Sequence, residues 1–116
     1  MPASEHDPAY LWDLLEAAKL INQFTSGVSF IQYNRDRLIQ SAIERQLEIM
    51  GEAARRVSKA YQDGHPEIPW RPIIGLRNIL AHEYGEIKAD RIWFIATRDV
   101  VELVRLLEPL VPRAEE

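Results

Sequence analysis

The sequence predicts an all-α domain of four main helices. Apolar residues recur at three- and four-residue spacing along most of the chain, and no segment alternates apolar with polar residues as a half-buried strand does. Turn residues cluster only between these periodic runs. At 116 residues, 47% hydrophobic and 28% charged, the chain is sized for one domain, 1–116, with a real core and with neither repeat nor linker.

The first helix follows Asp7 and Pro8, an expected N-cap and first-turn pair. Leu11, Leu14, Leu15, Ala18 and Ile21 form its inner stripe, and "TSG" stops it where Gly27 can turn left-handed. Ser29 or Asn34 restarts the chain. The longest helix then carries Leu38, Ala42, Ile43, Leu47, Met50, Ala54 and Val57 on one side. Gly51 inside it costs about 1 kcal/mol relative to alanine, which points to a close helix approach. "YQDGHPEIP" is dense in turn residues and reads as a connection. A shorter helix starts at Pro69 or Trp70, buries Ile73, Leu76 and Leu80, and ends at Gly85. Asp90 is the expected cap of the last helix, whose apolar face is Ile92, Ile95, Ala96, Val100, Leu103, Leu107 and Leu110. Pro112 closes it.

Composition narrows the function. With no cysteine there are no disulfides, no thiolate metal sites and no cysteine nucleophile, which fits a reducing cytoplasm. "MPASEHDPAY" lacks the basic and apolar regions of a secretory signal. The longest uncharged run, Leu20 to Asn34, is broken by Asn, Gln, Thr, Ser and Gly, whereas a membrane span needs ~20 mostly apolar residues. A soluble, cytoplasmic protein without membrane contact is expected. A net charge of −4 argues against tight, nonspecific nucleic-acid binding. Residues 34–61 nevertheless hold five Arg and one Lys against four acids, leaving room for a small, transient RNA site.

The stretch "RNILAHEY", residues 77–84, mixes core residues with polar ones. On an ideal helix Asn78 and His82 stack four apart, roughly opposite the stripe of Ile73, Leu76 and Leu80. Arg77 and Tyr84, seven apart, share an intermediate flank. Arg77 and His82 diverge by ~140°. They meet only if the arginine arm swings across, if the last turn is distorted, or if a second chain completes the site. "HEYGE" is no zinc-protease motif, because Glu86 stands where the second histidine belongs. His6 and His65 fall in terminal or turn-rich segments and are expected to be exposed. Neither a metal site nor a cofactor is expected. Trp70 and Trp93 read as core anchors rather than base-stacking platforms. Glu44, Glu48 and Glu52 form a stripe expected to be solvated or paired with arginines such as Arg45, Arg55 or Arg56.

"RNILAHEY" matches R-x-x-x-x-H-x-Y, and on that motif the chain resembles the HEPN superfamily, specifically the HepT-type ribonuclease toxins of MNT–HEPN (type VII) toxin–antitoxin modules. "ERQLEIMGEAARR" is similar to the family's central helix and "IPWRPIIGLRNILAHEYGEI" to its motif helix, so the likeness covers nearly the whole chain. It implies an HEPN-type bundle, a homodimer, and a metal-independent endoribonuclease with Arg77 and His82 catalytic and Asn78 supporting. An imidazole, with an ordinary pKa of ~6.5, can move protons near neutral pH. A guanidinium is a charged fork matched to phosphate oxygens. Attack by the 2′-oxygen of RNA would leave a 2′,3′-cyclic phosphate. The resemblance further implies that an MNT nucleotidyltransferase antitoxin, using ATP, transfers AMP onto Tyr84; the added charge and bulk would block RNA. Two other readings stand beside this one. The first is a non-catalytic helical module that binds nucleotide or the nucleotidyltransferase. In the second, Arg77 is merely ion-paired, His82 sits at a helix end favoured by the macrodipole, and Asn78 and Tyr84 are plain surface residues.

Overall fold

A computed structural model describes residues 4–112; the two ends of the expected 1–116 domain lie outside the described residues. Those described residues are all-α, without strands. Helix α1 is Asp7–Thr25, α2 Phe30–Arg35, α3 Arg37–Arg56, α4 Lys59–Gly64, α5 Trp70–Ile74, α6 Leu76–His82, α7 Gly85–Phe94 and α8 Val100–Leu107. A π-turn, Ile95–Asp99, joins α7 to α8, and a 3-10 turn, Glu108–Leu110, ends the last helix. The four expected helices are therefore α1, α3, the pair α5–α6 and the composite α7–α8.

The core lies where α1, α3 and α8 meet. Leu14, Ala18 and Ile21 of α1 pack with Ile43, Leu47 and Ala54 of α3 and with Leu107 of α8, all at 0% exposure. Burying each of the leucines and isoleucines contributes about 1.5–3 kcal/mol, and this sets α3 as the spine against which α5 and α6 are laid. Gly51 performs the close approach that its sequence position implied. A Cβ there would stand 3.2 Å from the Ile73 carbonyl oxygen, so α5 sits almost backbone to backbone on α3.

Several starts and stops differ from expectation. Position Ncap of α1 is His6, with no side-chain bond; Asp7 is instead 2% exposed and turned inward. Its carboxylate accepts from the Ser58 N–H at 2.8 Å, the Ser58 hydroxyl at 2.6 Å and the Ser4 N–H at 3.1 Å, fastening α1 to the start of α4. Three donors satisfy a group that would otherwise be costly to bury. Gly27, at φ +73°, does turn the chain left-handed just past the end of α1. Ser29 restarts the chain as a capping box with Gln32, but only for α2; Asp36 caps α3 through the amides of Leu38 and Ile39.

Leu38 does not join the core. It is 79% exposed, because it lies about 150° around the helix from the centre of the Ile43, Leu47 and Met50 face. The first half of the turn-rich connection folds as α4, capped by the Ser58 hydroxyl and steadied by a Lys59–Asp63 ion pair four residues apart. His65 is half-buried rather than exposed, its ring stacked 4.2 Å from that of Tyr61. Trp70 is a core anchor as expected, 7% exposed with its indole N–H on the His65 carbonyl. Trp93 belongs to an aromatic cluster that ties α2 to α7, 4.9 Å from Tyr33 and 6.3 Å from Phe30. Tyr33 is 1% exposed, and burial, aided by Glu44, pushes its phenol up to about 12.

The final helix begins at Gly85, not at Asp90, which lies inside α7. Its apolar face is Ile92, Ala96, Val100, Leu103 and Leu107, kept in register across the π-turn. No helix among the described residues is long and apolar enough to cross a membrane.

Candidate functional site

The motif helix is interrupted at Gly75, where α5 ends and α6 starts. Glycine is a weak helix former, and past it the Asn78 N–H bonds the Gly75 carbonyl at 3.0 Å, a tighter three-residue turn that starts α6. Trp70 and Ile73 before the break and Leu76 just past it are buried, whereas Ile79 and Leu80 are only half-buried, so the expected stripe fades toward its end. The other side of α6 is open. Arg77, Asn78 and His82 are exposed, and none of the ion pairs among the described residues engages Arg77 or His82.

Past His82 the backbone leaves the helix. Glu83 and Tyr84 are extended, and Gly85 at φ +61° reverses the chain into α7. A side chain at Gly85 would strain that reversal. Two contacts hold the end of α6 in place. The Lys88 ammonium donates to the Leu80 carbonyl at 3.0 Å and lies 3.3 Å from the Glu44 carboxylate. Arg91 donates to Glu83 Oε2 at 2.5 Å. Tyr84 occupies the Ncap position of α7 and is 77% exposed.

A groove of about 910 Å³ runs between α5–α6 and α7–α8. Met50, Ile73, Leu76, Val100 and Leu103 give it an apolar floor, and Asn78, His82, Glu83 and Arg91 contribute its polar groups. Exposed Phe94, packed under the Arg98 guanidinium at 5.6 Å, and half-buried Ile95 also line it. The structure thus brings Asn78 and His82 together, as their four-residue spacing predicted. It does not bring Arg77 to them. Arg77 opens on a second hollow of about 430 Å³, with Tyr10, Arg45, Glu48, Glu52 and Arg56. Of the three ways in which Arg77 and His82 can meet, a swung arm and a distorted turn are not realised within one chain.

In that second hollow the acidic stripe is paired, as expected. Glu52 bridges Arg55 and Arg56 at 2.6 and 2.8 Å, and these bonds hold its carboxyl down to about 2. Glu48 lies 3.9 Å from Arg45. Among the described residues no three His, Asp or Glu side chains gather as metal ligands would. Glu83 and Arg91 escaped the sequence reading. Eight residues apart, they meet only because Gly85 turns the chain, and no periodicity announces such a pair.

The fold and the motif helix together define the class: an HEPN-type helical domain with its polar motif on an open groove. Comparison with known proteins makes this specific. The family model described as ribonuclease HepT-like matches residues 14–110. A Methanocaldococcus jannaschii protein named as a candidate RNase is 35% identical over 100 residues, covering 86% of this chain and 92% of that one. The "Probable ribonuclease HepT" of Thermococcus cleftensis is 36% identical over 101 residues, covering 87% and 92%. A second M. jannaschii protein, also named as a candidate RNase, is 32% identical over 107 residues, covering 92% and 88%. No solved structure matches the chain. The chain belongs to the HepT-like ribonuclease family, and membership carries the enzyme class, an endoribonuclease.

Proposed function

We propose that this chain is the metal-independent endoribonuclease toxin of an MNT–HEPN toxin–antitoxin pair, acting in the cytoplasm through Arg77 and His82. The observation that carries the proposal is an exposed imidazole on the groove beside Asn78 and an exposed guanidinium on the same two-turn helix, neither of them in an ion pair among the described residues. His82 takes the proton of the RNA 2′-hydroxyl, and the 2′-oxygen forms a bond to phosphorus. The P–O5′ bond breaks and the 5′-oxygen leaves as a hydroxyl, taking up, directly or through water, the proton that His82 received. The products are a 2′,3′-cyclic phosphate and a 5′-hydroxyl end. A guanidinium over the phosphorane oxygens stabilises the extra charge, and Asn78 orients the phosphate or the imidazole.

Within one chain Arg77 and His82 line separate hollows. The working site is therefore assembled by two copies, with their α6 helices brought together about a two-fold axis so that the arginine of one serves the histidine of the other. The apolar floor of the groove, together with Phe94 on its lining, more than half exposed, supports such an association. A partner MNT nucleotidyltransferase silences the toxin at Tyr84. The phenol oxygen attacks the α-phosphorus of ATP, the phenol proton is lost and pyrophosphate departs. The exposure of that phenol, two residues past His82, supports this role.

The separation of Arg77 from His82 also suits a second reading, a module that binds nucleotide or the nucleotidyltransferase without catalysis. RNA incubated in EDTA with the wild type and with His82→Ala decides between them. Cleavage by the first and not by the second is expected; an inert wild type on several RNAs would leave the binding module.

A further inference from the structure

We propose that Arg91, held by Glu83, is a second RNA-phosphate contact in the His82 groove; this rests on the ribonuclease reading above. Arg77 faces the other hollow, so Arg91 is the only arginine or lysine among the described residues that line the groove beside His82. Its side chain is still 53% exposed, and among the described residues a single guanidinium nitrogen is bound, to Glu83 Oε2 at 2.5 Å. The remaining N–H groups of the fork are left for phosphate oxygens, the geometry that arginine offers best.

Glu83 serves as the positioning residue. It follows His82 directly in the chain, so the Glu83–Arg91 pair couples the guanidinium to the backbone that carries the imidazole. Its side chain is only 23% exposed, and its Oε1 is buried with no donor. Such a carboxylate needs its arginine, which keeps Arg91 at the groove rather than free in solvent. The groove's other carboxylates lie on the π-turn and α8, as Asp99 and Glu102, the latter bound by Arg105. A phosphodiester chain is therefore drawn to the end of the groove formed by Asn78, His82 and Arg91. A structural ion pair and an RNA contact make different demands. The first needs only the bond to Glu83, whereas the second needs positive charge at position 91.

The experiment measures binding of a fluorescein-labelled single-stranded RNA oligonucleotide over a range of salt concentrations. The full chain carries His82→Ala so that the RNA is not consumed. Arg91→Gln is expected to weaken binding about tenfold, as loss of one charged phosphate contact does. It should also reduce the slope of log K against log salt by about 0.7, the value per contact for a single strand. Arg91→Lys keeps that slope. Because Arg91→Gln alone strands a buried carboxylate, the double variant Glu83→Gln/Arg91→Gln is measured as well, its fold checked by circular dichroism. It should show the same loss of affinity and slope. In cleavage assays with His82 restored, Arg91→Gln should raise KM and leave kcat within about threefold, the pattern of lost ground-state binding. Unchanged affinity and slope in a folded double variant would overturn the inference and leave the ribonuclease reading intact. Cleavage that survives His82→Ala would overturn that reading, while the salt slopes still decide the role of Arg91. A parent chain that binds no RNA would overturn the inference, and the cleavage assay would still decide the ribonuclease reading.

Discussion

The imidazole of His82 stands exposed on the last turn of α6, so its removal should cost chemistry rather than stability. A rate loss of about 10²–10⁴-fold is expected for His82→Ala, the range of general acid–base catalysis, with a melting temperature close to wild type. Survival of cleavage in a folded variant would discard the assignment. On the proposed reading, Tyr84 serves regulation and not catalysis. Tyr84→Phe should still cut RNA, yet intact-mass spectrometry after incubation with the nucleotidyltransferase and ATP should show no AMP adduct. An adduct that persists would place the acceptor elsewhere. Arg91 shows what residue-level reading misses: nothing near it in sequence marks it, and only its carboxylate partner and groove reveal it.

Helix packing makes its own predictions. Asp36 accepts from two amides at the start of α3, and Asp36→Ala should cost about 1 kcal/mol in denaturant unfolding with an unchanged m-value. Gly51→Ala sets two effects against each other. Alanine gains about 1 kcal/mol of helix propensity, but its Cβ would press on the Ile73 carbonyl at 3.2 Å, where backbone has to yield. Overpacking typically costs about 1–3 kcal/mol, so a net loss of stability is expected, together with slower cleavage because α5 and α6 move with that contact. A stabilised Gly51→Ala protein would show that α3 and α5 have room to spare. The motif segment was legible as helix from Ile73 and Leu76, yet its break at Gly75 was not, since Pro72 and Gly75 are individually tolerated in helices. The connection before it hid α4, because turn-forming residues also suit a six-residue helix when Ser58 caps it.

At the scale of the whole molecule, pH and assembly are the informative variables. Tyr33 has its folded value pushed to about 12 against an ordinary value near 10. Between those values the unfolded chain has lost the phenolic proton and the folded chain has kept it, so stability falls as pH rises through that window. The gap corresponds to about 2–3 kcal/mol, and Tyr33→Phe should flatten the decline above pH ~10. An identical alkaline profile in Tyr33→Phe would rule this group out as the cause. For assembly, sedimentation over a range of concentrations should show a dimer. A charge at Leu106, a further apolar residue of the groove lining, should weaken both dimer and cleavage when introduced as Leu106→Glu. Full cleavage by a strictly monomeric variant would refute the shared site.

By itself the sequence determined the all-α class, the four-part division and the members of the motif, because helical periodicity and a spaced Arg–Asn–His–Tyr set are local properties. Asn78 and His82 share one groove for the same reason: four residues make one turn. Tertiary structure decided what depends on distant segments meeting. It turned Asp7 inward onto Ser58, put Leu38 in solvent, set α5 on Gly51 and paired Glu83 with Arg91. It also placed Arg77 and His82 on different hollows, since a helix fixes only the angle between two side chains, and the neighbours packed on either side decide what each of them faces.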